Sequence, residues 1–179
     1  MAEKAIMAGF GGQGVMAIGK LLAYAGMLEG KEVSWLPSYG PEMRGGTANC
    51  SVIVSNTLIG SPIITNDATA AIVMNLPSLD KFESDIVKGG NLLINKSLIE
   101  KEATREDINA YYVPANDIAL ELGNAKAANM VMLGAYLELT KAVKPESIIK
   151  AFTKVFGEDK AKLIPLNEEA LKKGAEAVK

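Results

Sequence analysis

The chain has 179 residues, of which 49% are hydrophobic and 22% charged, and its formal net charge is −2. This composition is typical of a soluble globular protein, and the length suits a single domain, residues 1–179, with a substantial core. The basic residues are scattered among acidic ones, which argues against nucleic-acid binding, and no apolar stretch approaches the roughly 18 residues that cross a membrane.

Two residue types are scarce or missing. The sequence has one cysteine, Cys50, and no histidine. One thiol can form neither an internal disulfide nor an iron–sulfur cluster, which normally needs four thiolates, and the lack of histidine excludes His-based triads and zinc sites. We therefore expect no catalytic residue and no metal site on this chain, and a buried, inert Cys50 in an apolar strand. Residues Met1–Lys4 lack the apolar segment of a signal peptide, so we expect a cytoplasmic protein.

The first predicted element is a short strand, Ala5–Ala8, followed by a glycine-rich run and by a helix that begins near Val15. A glycine-rich turn leaves backbone N–H groups free at the N-terminus of a helix, where the helix dipole favours a phosphate or another anion. The turn therefore supplies the first candidate cofactor-binding residues. They are Gly9, Gly11, Gly12, Gln13 and Gly14.

The spacing of Gly9, Gly11 and Gly14 also satisfies G-x-G-x-x-G, the fingerprint of dinucleotide binding. Such units place an acidic residue at the end of the second strand to hold the ribose hydroxyls. Here the second predicted strand, Glu32–Leu36, runs into Pro37 with no acid at its end. Nicotinamide or flavin binding is therefore disfavoured. A further alternative is that the glycines serve only the close packing of strand and helix.

A polar loop rich in Gly and Pro, residues 38–46, follows the second strand and precedes the strand Cys50–Ser55. Such loops are commonly plain turns. This one holds an aromatic ring and a guanidinium between residues with special backbone requirements, a combination more typical of a binding surface. It supplies the remaining candidate cofactor-binding residues. They are Ser38, Tyr39, Gly40, Glu42, Arg44, Gly45 and Gly46.

Arg44 is the strongest candidate for contact with a phosphate or carboxylate, because its planar fork suits bidentate binding of anions. The alternative is a structural ion pair, for example with Glu42. If the two preceding strands are parallel neighbours, both loops follow carboxyl ends at one edge of the sheet. We therefore expect the Gly9–Gly14 turn and the second loop to lie close together.

The remaining sequence alternates strands with helices, which implies a three-layer α/β/α fold. The segment Cys50–Ile64 resembles a hairpin, so the sheet should be mixed and mostly parallel. Pro77 is positioned to start one helix and Gly89–Gly90 to stop it. Strands are predicted near Ala5, Val33, Val52, Ile72, Leu93 and Tyr112.

After Val113 the chain is predicted to be mostly helical. The run Ala128–Leu137, rich in Met and small residues, is interpreted as a buried core helix, with contact to a partner subunit as the alternative. Pro145 should start another helix that has one apolar face. Asn167, followed by two glutamates, is expected to cap the last helix.

Taken together, the two loops resemble those of the gamma subunit of the 2-oxoacid:ferredoxin oxidoreductases. The motifs are Gly-x-Gly-Gly-Gln-Gly at 9–14 and Ser-Tyr-Gly-Pro-x-x-Arg-Gly-Gly at 38–46, and the resemblance extends over the whole chain to Asn129 and Leu133–Ala135. Pyruvate-type subunits tend to carry Glu-Arg-Arg-Gly-Ala-Pro at the second loop. Residues 42–47 read Glu-Met-Arg-Gly-Gly-Thr instead, which is similar to the 2-oxoglutarate or branched-chain 2-oxoacid type.

The resemblance implies a subunit, inactive alone, of an enzyme that converts a 2-oxoacid and CoA to acyl-CoA and CO2 and reduces ferredoxin, with 2-oxoglutarate as the favoured substrate. It implies thiamine diphosphate, Mg²⁺, iron–sulfur clusters and CoA in the complex, with no cofactor held by this chain alone. Alpha, beta and ferredoxin-like delta subunits are the implied partners, and this chain would complete the active-site or CoA region. The alternatives are a free-standing nucleotide-binding regulatory or redox protein and a scaffold whose glycine loops only shape subunit contacts.

Overall fold

The structure, a computed structural model, describes residues 2–39 and 47–179. Its strands pair into one six-stranded sheet. The strands are β1 (Glu3–Phe10), β2 (Glu32–Tyr39), β3 (Thr47–Ser55), β4 (Ala68–Val73), β5 (Ile86–Asn95) and β6 (Asn109–Val113).

The strand order is β2-β3-β1-β4-β5-β6. The pairs β1–β4, β4–β5 and β5–β6 are parallel, whereas β3 runs antiparallel to both β1 and β2. In the described residues, the other five strands therefore run in one direction and β3 runs in the opposite direction. The mixed, mostly parallel sheet expected from the sequence is confirmed. Each predicted strand position also lies in a strand of this sheet.

Helices cover the two faces of the sheet unequally. The helices are α1 (Val15–Leu28), α2 (Leu76–Phe82), α3 (Ala115–Glu121), α4 (Ala128–Thr140), α5 (Pro145–Phe156) and α6 (Ile164–Glu176). The core on one face contains Met7 together with residues of α1, α3, α4, α5 and α6. The core on the other face contains Ile6, Ala8 and residues of α2. β1 is apolar at successive positions because both of its faces are buried.

The helix α2 begins where the sequence predicts. The Asn75 side chain accepts a hydrogen bond from the Ser78 N–H at 2.9 Å, and Pro77 lies in the first turn. The prediction that this helix continues to Gly89–Gly90 is wrong. It ends at Phe82 and is followed by a 3-10 turn, because residues from Ile86 onward pair with β4.

The hairpin expected over Cys50–Ile64 is also wrong. β3 ends at Ser55, and its antiparallel partners are the preceding strands β2 and β1. Residues 56–67 contain no strand and turn from β3 to β4. Local bonds bend this segment, since the Ser55 hydroxyl accepts from the Thr57 N–H and the Asp67 carboxylate accepts from the Thr65 N–H.

The C-terminal helices confirm two expectations and correct one. α5 begins at Pro145, and Ala128–Leu137 of α4 is buried throughout, as a core helix should be. Asn167 does not cap α6. The helix begins at Ile164 with a proline in its first turn, and the Asn167 amide lies one turn inside, donating to the Leu163 carbonyl at 2.8 Å.

The helices α4 and α6 meet through glycines. A Cβ atom on Gly134 would overlap the backbone of Leu171, and a Cβ on Gly174 would overlap the backbone of Val131. The two helices can approach this closely only because both positions lack a side chain. No helix in the ranges 2–39 and 47–179 combines the length and apolarity needed to cross a bilayer.

Several polar pairs lie at the amino edge of the sheet, the edge where the parallel strands begin. Glu29 accepts a hydrogen bond from the Lys144 N–H at 2.6 Å and pairs with Lys31 at 2.9 Å, while the Lys31 ammonium donates to the Ala142 carbonyl at 2.6 Å. Burial opposes ionisation of Glu29, but the Lys144 N–H and Lys31 outweigh it, and the pKa of this carboxyl is lowered. The α1–β2 turn is thereby tied to the α4–α5 loop.

A second amino-edge pair joins β1 to α4. The Tyr136 hydroxyl, fully buried, donates to a Glu3 carboxylate oxygen at 3.4 Å. Burial raises the pKa of Glu3 and the pKa of Tyr136. The neighbouring residue Lys4 forms an ion pair with Asp67.

Candidate functional site

The turn from β1 to α1 lies at the carboxyl edge of the sheet, where the parallel strands end. β1 leads into α1 on one face of the sheet, whereas its parallel neighbour β4 leads into α2 on the opposite face. When two adjacent connections diverge in this way, a crevice is left between them, and ligands of open α/β sheets bind there.

The backbone of the turn is shaped for glycine and leaves donors at the helix start. Gly12 and Gly14 have φ of 97° and 78°, in the left-handed region that other residues rarely adopt. Gly14 is the N-cap of α1, so no side chain of the described residues caps the helix, and its first turn contains no acidic residue. Gly11 and Gly12 are exposed. The first N–H groups of α1 can therefore meet an anion.

Gln13 braces this turn from inside. Its side-chain oxygen accepts from the Phe10 N–H at 2.6 Å, and its side-chain amide donates to the Met74 carbonyl at the end of β4, at 3.2 Å. A Cβ on Gly9 would lie 2.6 Å from that oxygen. The described geometry gives Gln13 and Gly9 a structural role, and ligand contact by either residue stays a prediction.

Asn129, at the start of α4, holds the other side of the turn. It is 9% exposed, and its amide donates to the Gly14 carbonyl at 3.3 Å. A Cβ on Gly14 would overlap this amide. In the sequence, Asn129 was indicated only by the family resemblance, and its contact with the glycine turn was not predicted. The signal for a contact was a polar residue that opens an otherwise apolar helix.

The second candidate loop begins at the same edge. Tyr39, 62% exposed, ends β2 opposite Ala48 of β3, and Ala48 is opposite Gly9. The starts of the two loops thus share an edge, as expected, but their strands are not neighbours because β3 lies between them. Two strand spacings separate them by about 10 Å. Ser38 is described and exposed. The candidates Gly40, Glu42, Arg44, Gly45 and Gly46 lie outside the described residues.

The single thiol is enclosed in the core. Cys50 has no exposed surface, and its Sγ lies 3.5 Å from the Val15 carbonyl oxygen. Burial raises the pKa of the Cys50 thiol to about 12. The expected buried thiol is confirmed. A thiolate-ligated cluster does not fit at this residue, and no group of three or more Cys, Asp or Glu side chains suited to a metal occurs in the described part of the chain.

Among the described residues, three clefts border the helical layer, and another of about 310 Å³ lies near Lys96 and Tyr112. Two of them, of about 610 and 520 Å³, are near the amino edge and include Lys31 in their walls. The third, of about 240 Å³, includes Asn129 and therefore adjoins the glycine turn. The cleft next to the candidate site is thus the smallest of the three.

Nearly the whole chain is similar to known proteins. Residues 4–177 match the family model described as pyruvate ferredoxin/flavodoxin oxidoreductase. Ketoisovalerate oxidoreductase subunit VorA of Methanothermobacter thermautotrophicus is 39% identical over 170 residues, which are 95% of this chain and 35% of that protein. The 2-oxoglutarate synthase subunit KorC of Methanocaldococcus jannaschii is 36% identical over 155 residues, 84% of this chain and 82% of KorC. The chain therefore spans about a third of VorA and most of KorC.

A solved structure has the same fold. The gamma subunit of keto/oxoacid ferredoxin oxidoreductase from Geobacter sulfurreducens PCA superimposes with a TM-score of 0.82 at 28% identity, and 98% of each chain is covered. The α/β architecture described above is therefore shared with a solved subunit over almost its full length.

Proposed function

Because the chain belongs to the pyruvate ferredoxin/flavodoxin oxidoreductase family, we propose that it is the gamma subunit of a 2-oxoacid:ferredoxin oxidoreductase. The assembled enzyme would convert a 2-oxoacid and CoA to acyl-CoA and CO2 and pass the electrons to ferredoxin. The observation that carries the proposal is the full-length match, since most of KorC and almost all of the Geobacter gamma subunit correspond to this chain.

In this proposal the chain helps to bind and position CoA, and the partner subunits carry out the redox chemistry. The sequence contains one cysteine, and that residue is fully buried. Iron–sulfur clusters would therefore reside on partner subunits. The family resemblance implies the same for thiamine diphosphate, with alpha, beta and ferredoxin-like delta subunits as the partners. Thiamine diphosphate supplies the carbanion chemistry in such enzymes.

The carboxyl edge is the surface that this chain would contribute to the CoA region. The uncapped N-terminus of α1 favours an anion. Apart from its chain neighbours, no described residue has an atom within 4 Å of the place where a Cβ of Gly12 would stand, so a ligand can approach this backbone from the described side. Tyr39 begins the second loop about two strand spacings away, roughly 10 Å. An extended ligand that carries phosphates, such as CoA, could reach both, with Arg44 as a second anion contact.

We propose 2-oxoglutarate as the favoured substrate and a branched-chain 2-oxoacid as its competitor. Residues 42–47 support both, and so do the relatives, since KorC is named for 2-oxoglutarate and VorA for ketoisovalerate. We also propose that the complex contains alpha, beta and delta subunits beside this chain and that it is located in the cytoplasm.

The test is reconstitution of the complex with and without this chain. Ferredoxin reduction would be followed with 2-oxoglutarate, ketoisovalerate and pyruvate, each with saturating CoA. We expect turnover only when the chain is present, and the highest kcat/KM with 2-oxoglutarate. Full turnover without the chain would refute the proposal. A melting-temperature rise of the isolated chain with NAD or FAD that ADP alone does not produce would favour the free-standing nucleotide-binding alternative.

A further inference from the structure

The third cleft has a distinctive chemical lining. It is formed where the start of α4, the end of α5 and the start of α6 meet, and we call it the α4–α5–α6 cleft. Its apolar walls include Met130, Phe152, Phe156 and Leu163. Phe152 and Phe156 are in contact with each other, with ring centroids 4.6 Å apart. The cleft therefore offers an aromatic and aliphatic surface to a planar or apolar group.

The charged groups in the cleft are all of one sign. Lys126 and Lys160 line it and are exposed, and none of the described residues in its lining carries a carboxylate. Lys160 forms an exposed pair with Asp159 at 3.5 Å, but Asp159 is not part of the lining. The two larger clefts contain glutamates, for example Glu29 in one and Glu3 in the other. In a chain with a net charge of −2, this local excess favours an anionic ligand.

A buried amide in the cleft keeps one hydrogen-bonding atom open. Asn167 is 8% exposed and lines the cleft. Its nitrogen donates to the Leu163 carbonyl, and no donor in the described residues bonds its oxygen. That oxygen is not among the buried side-chain atoms that lack a partner, so it is accessible from the cleft. The Asn167 oxygen therefore offers an acceptor to a ligand that carries an N–H or O–H donor.

We propose that the α4–α5–α6 cleft binds a nucleoside phosphate. The base would lie against the apolar walls, its amino or hydroxyl donor would meet the Asn167 oxygen, and the phosphate would meet Lys126 and Lys160. A free nucleotide and the nucleotide end of CoA share this chemistry. The inference rests on the proposed function only for CoA as the source.

The position of the cleft supports a connection to the glycine turn. Asn129 lines the cleft and also donates to the Gly14 carbonyl. One wall of the cleft is therefore attached to the turn that the proposed function assigns to an anionic group. A ligand in the cleft and an anion at the N-terminus of α1 would lie on two sides of the same asparagine.

The experiment is calorimetric titration of the full chain with ADP, CoA, pantetheine and inorganic phosphate. The test variant is Lys126→Ala with Lys160→Ala, and the control is Lys150→Ala with Lys154→Ala, which removes the same charge from exposed positions of α5 outside the cleft. We expect ADP and CoA to bind at least about tenfold more tightly than pantetheine or phosphate. The test variant should lose about tenfold in affinity and the control should not change.

The inference is overturned if inorganic phosphate binds as tightly as ADP, if the test variant binds ADP normally, or if neither ADP nor CoA binds. Asn167→Leu gives a second readout, because it should weaken ADP binding and leave phosphate binding unchanged. In the assembled complex, a roughly tenfold higher KM for CoA in the lysine variant would identify CoA as the source. An unchanged KM would identify a free nucleotide. A complex without 2-oxoacid activity would refute the proposed function and leave the binding result standing.

Discussion

The amino edge of the sheet and the start of α1 at the carboxyl edge use polar groups in opposite ways. At the amino edge, carboxylates are enclosed and bonded, as Glu29 is by Lys31 and the Lys144 N–H and Glu3 is by Tyr136. At the carboxyl edge, α1 begins at a glycine with neither a capping side chain nor an acid in its first turn. The comparison shows that the α1–β2 turn at the amino edge is stabilised by bonds within the chain, while the start of α1 at the carboxyl edge leaves backbone donors for another molecule.

The largest effect is expected from Gly14→Ala at the carboxyl edge. The substitution forces a side chain into positive φ and into the Asn129 amide, so it should lower the free energy of unfolding by about 3 kcal/mol. Urea denaturation would measure it. In an Asn129→Ala background the overlap is relieved, and the cost of Gly14→Ala should fall by more than about 1 kcal/mol. Equal costs in both backgrounds would show that Asn129 does not restrict the turn.

The next effect concerns the two arginines of the sequence, Arg44 and Arg105. In the assembled enzyme, Arg44→Ala should lower kcat/KM for CoA about tenfold to a hundredfold, because a charged hydrogen bond contributes roughly 1.5–3 kcal/mol. The melting temperature should stay nearly unchanged. Steady-state kinetics with CoA varied, together with thermal melts, would measure both.

Arg105→Ala is the matched control for that experiment. The Arg105 guanidinium donates to the carbonyls of Glu83 and Ile86 and pairs with Asp107, so its loss should lower the melting temperature and leave the KM for CoA unchanged. If Arg44→Ala behaved in the same way as this control, Arg44 would be a structural ion-pair residue and its proposed anion contact would be wrong.

A smaller effect is expected from Glu29→Gln at the amino edge. Loss of the charge weakens the bonds from Lys144 and Lys31, which should cost about 1 kcal/mol at pH 7. Because the folded pKa of Glu29 is lowered, its contribution is present above about pH 4.5 and is lost as the pH falls through the folded value. The urea midpoint of the variant should therefore be lower than that of wild type at pH 7. At pH 3 the two midpoints should be closer together. Glu32→Gln, an exposed neighbour, is the control.

The smallest effect has the opposite pH dependence. Burial raises the pKa of Glu3, so its contribution is present below about pH 4.5 and is lost as the pH rises through the folded value. Glu3→Gln should therefore stabilise the protein at pH 8, by less than about 1 kcal/mol, and have little effect at pH 4. A loss of stability at pH 8 would show that the bond from Tyr136 outweighs burial. Exposed Glu121→Gln should be neutral at both values.

Local patterns predicted what local forces decide. The order strand, glycine turn and helix over residues 5–22 was readable because glycines and apolar spacing act over a few residues. Gly89–Gly90 misled because strand pairing with β4, which is not visible in the local sequence, extends β5 back to Ile86. The prediction that Asn167 caps the last helix is wrong because the helix already begins at Ile164, with Pro165 in its first turn.

The candidate site divides in the same way. The glycine turn could be found from its own residues, whereas its braces could not. Gln13 reaches Met74, and Asn129 reaches Gly14 from 115 residues away. Such contacts depend on which strands and helices become neighbours, and the amino-acid pattern at either end does not specify them. Contact of the turn with a cofactor stays a prediction.

The glycine contact between α4 and α6 has a consequence for motion in the protein. Because Gly134 and Gly174 bring backbone close to backbone, the two helices are closely packed along this contact. We expect the amide hydrogens of the two helices to exchange with solvent in one cooperative opening. Asn129 lies in α4 and donates to the Gly14 carbonyl. The packing of α6, which begins at Ile164, 150 residues after Gly14, therefore helps to fix the position of the glycine turn.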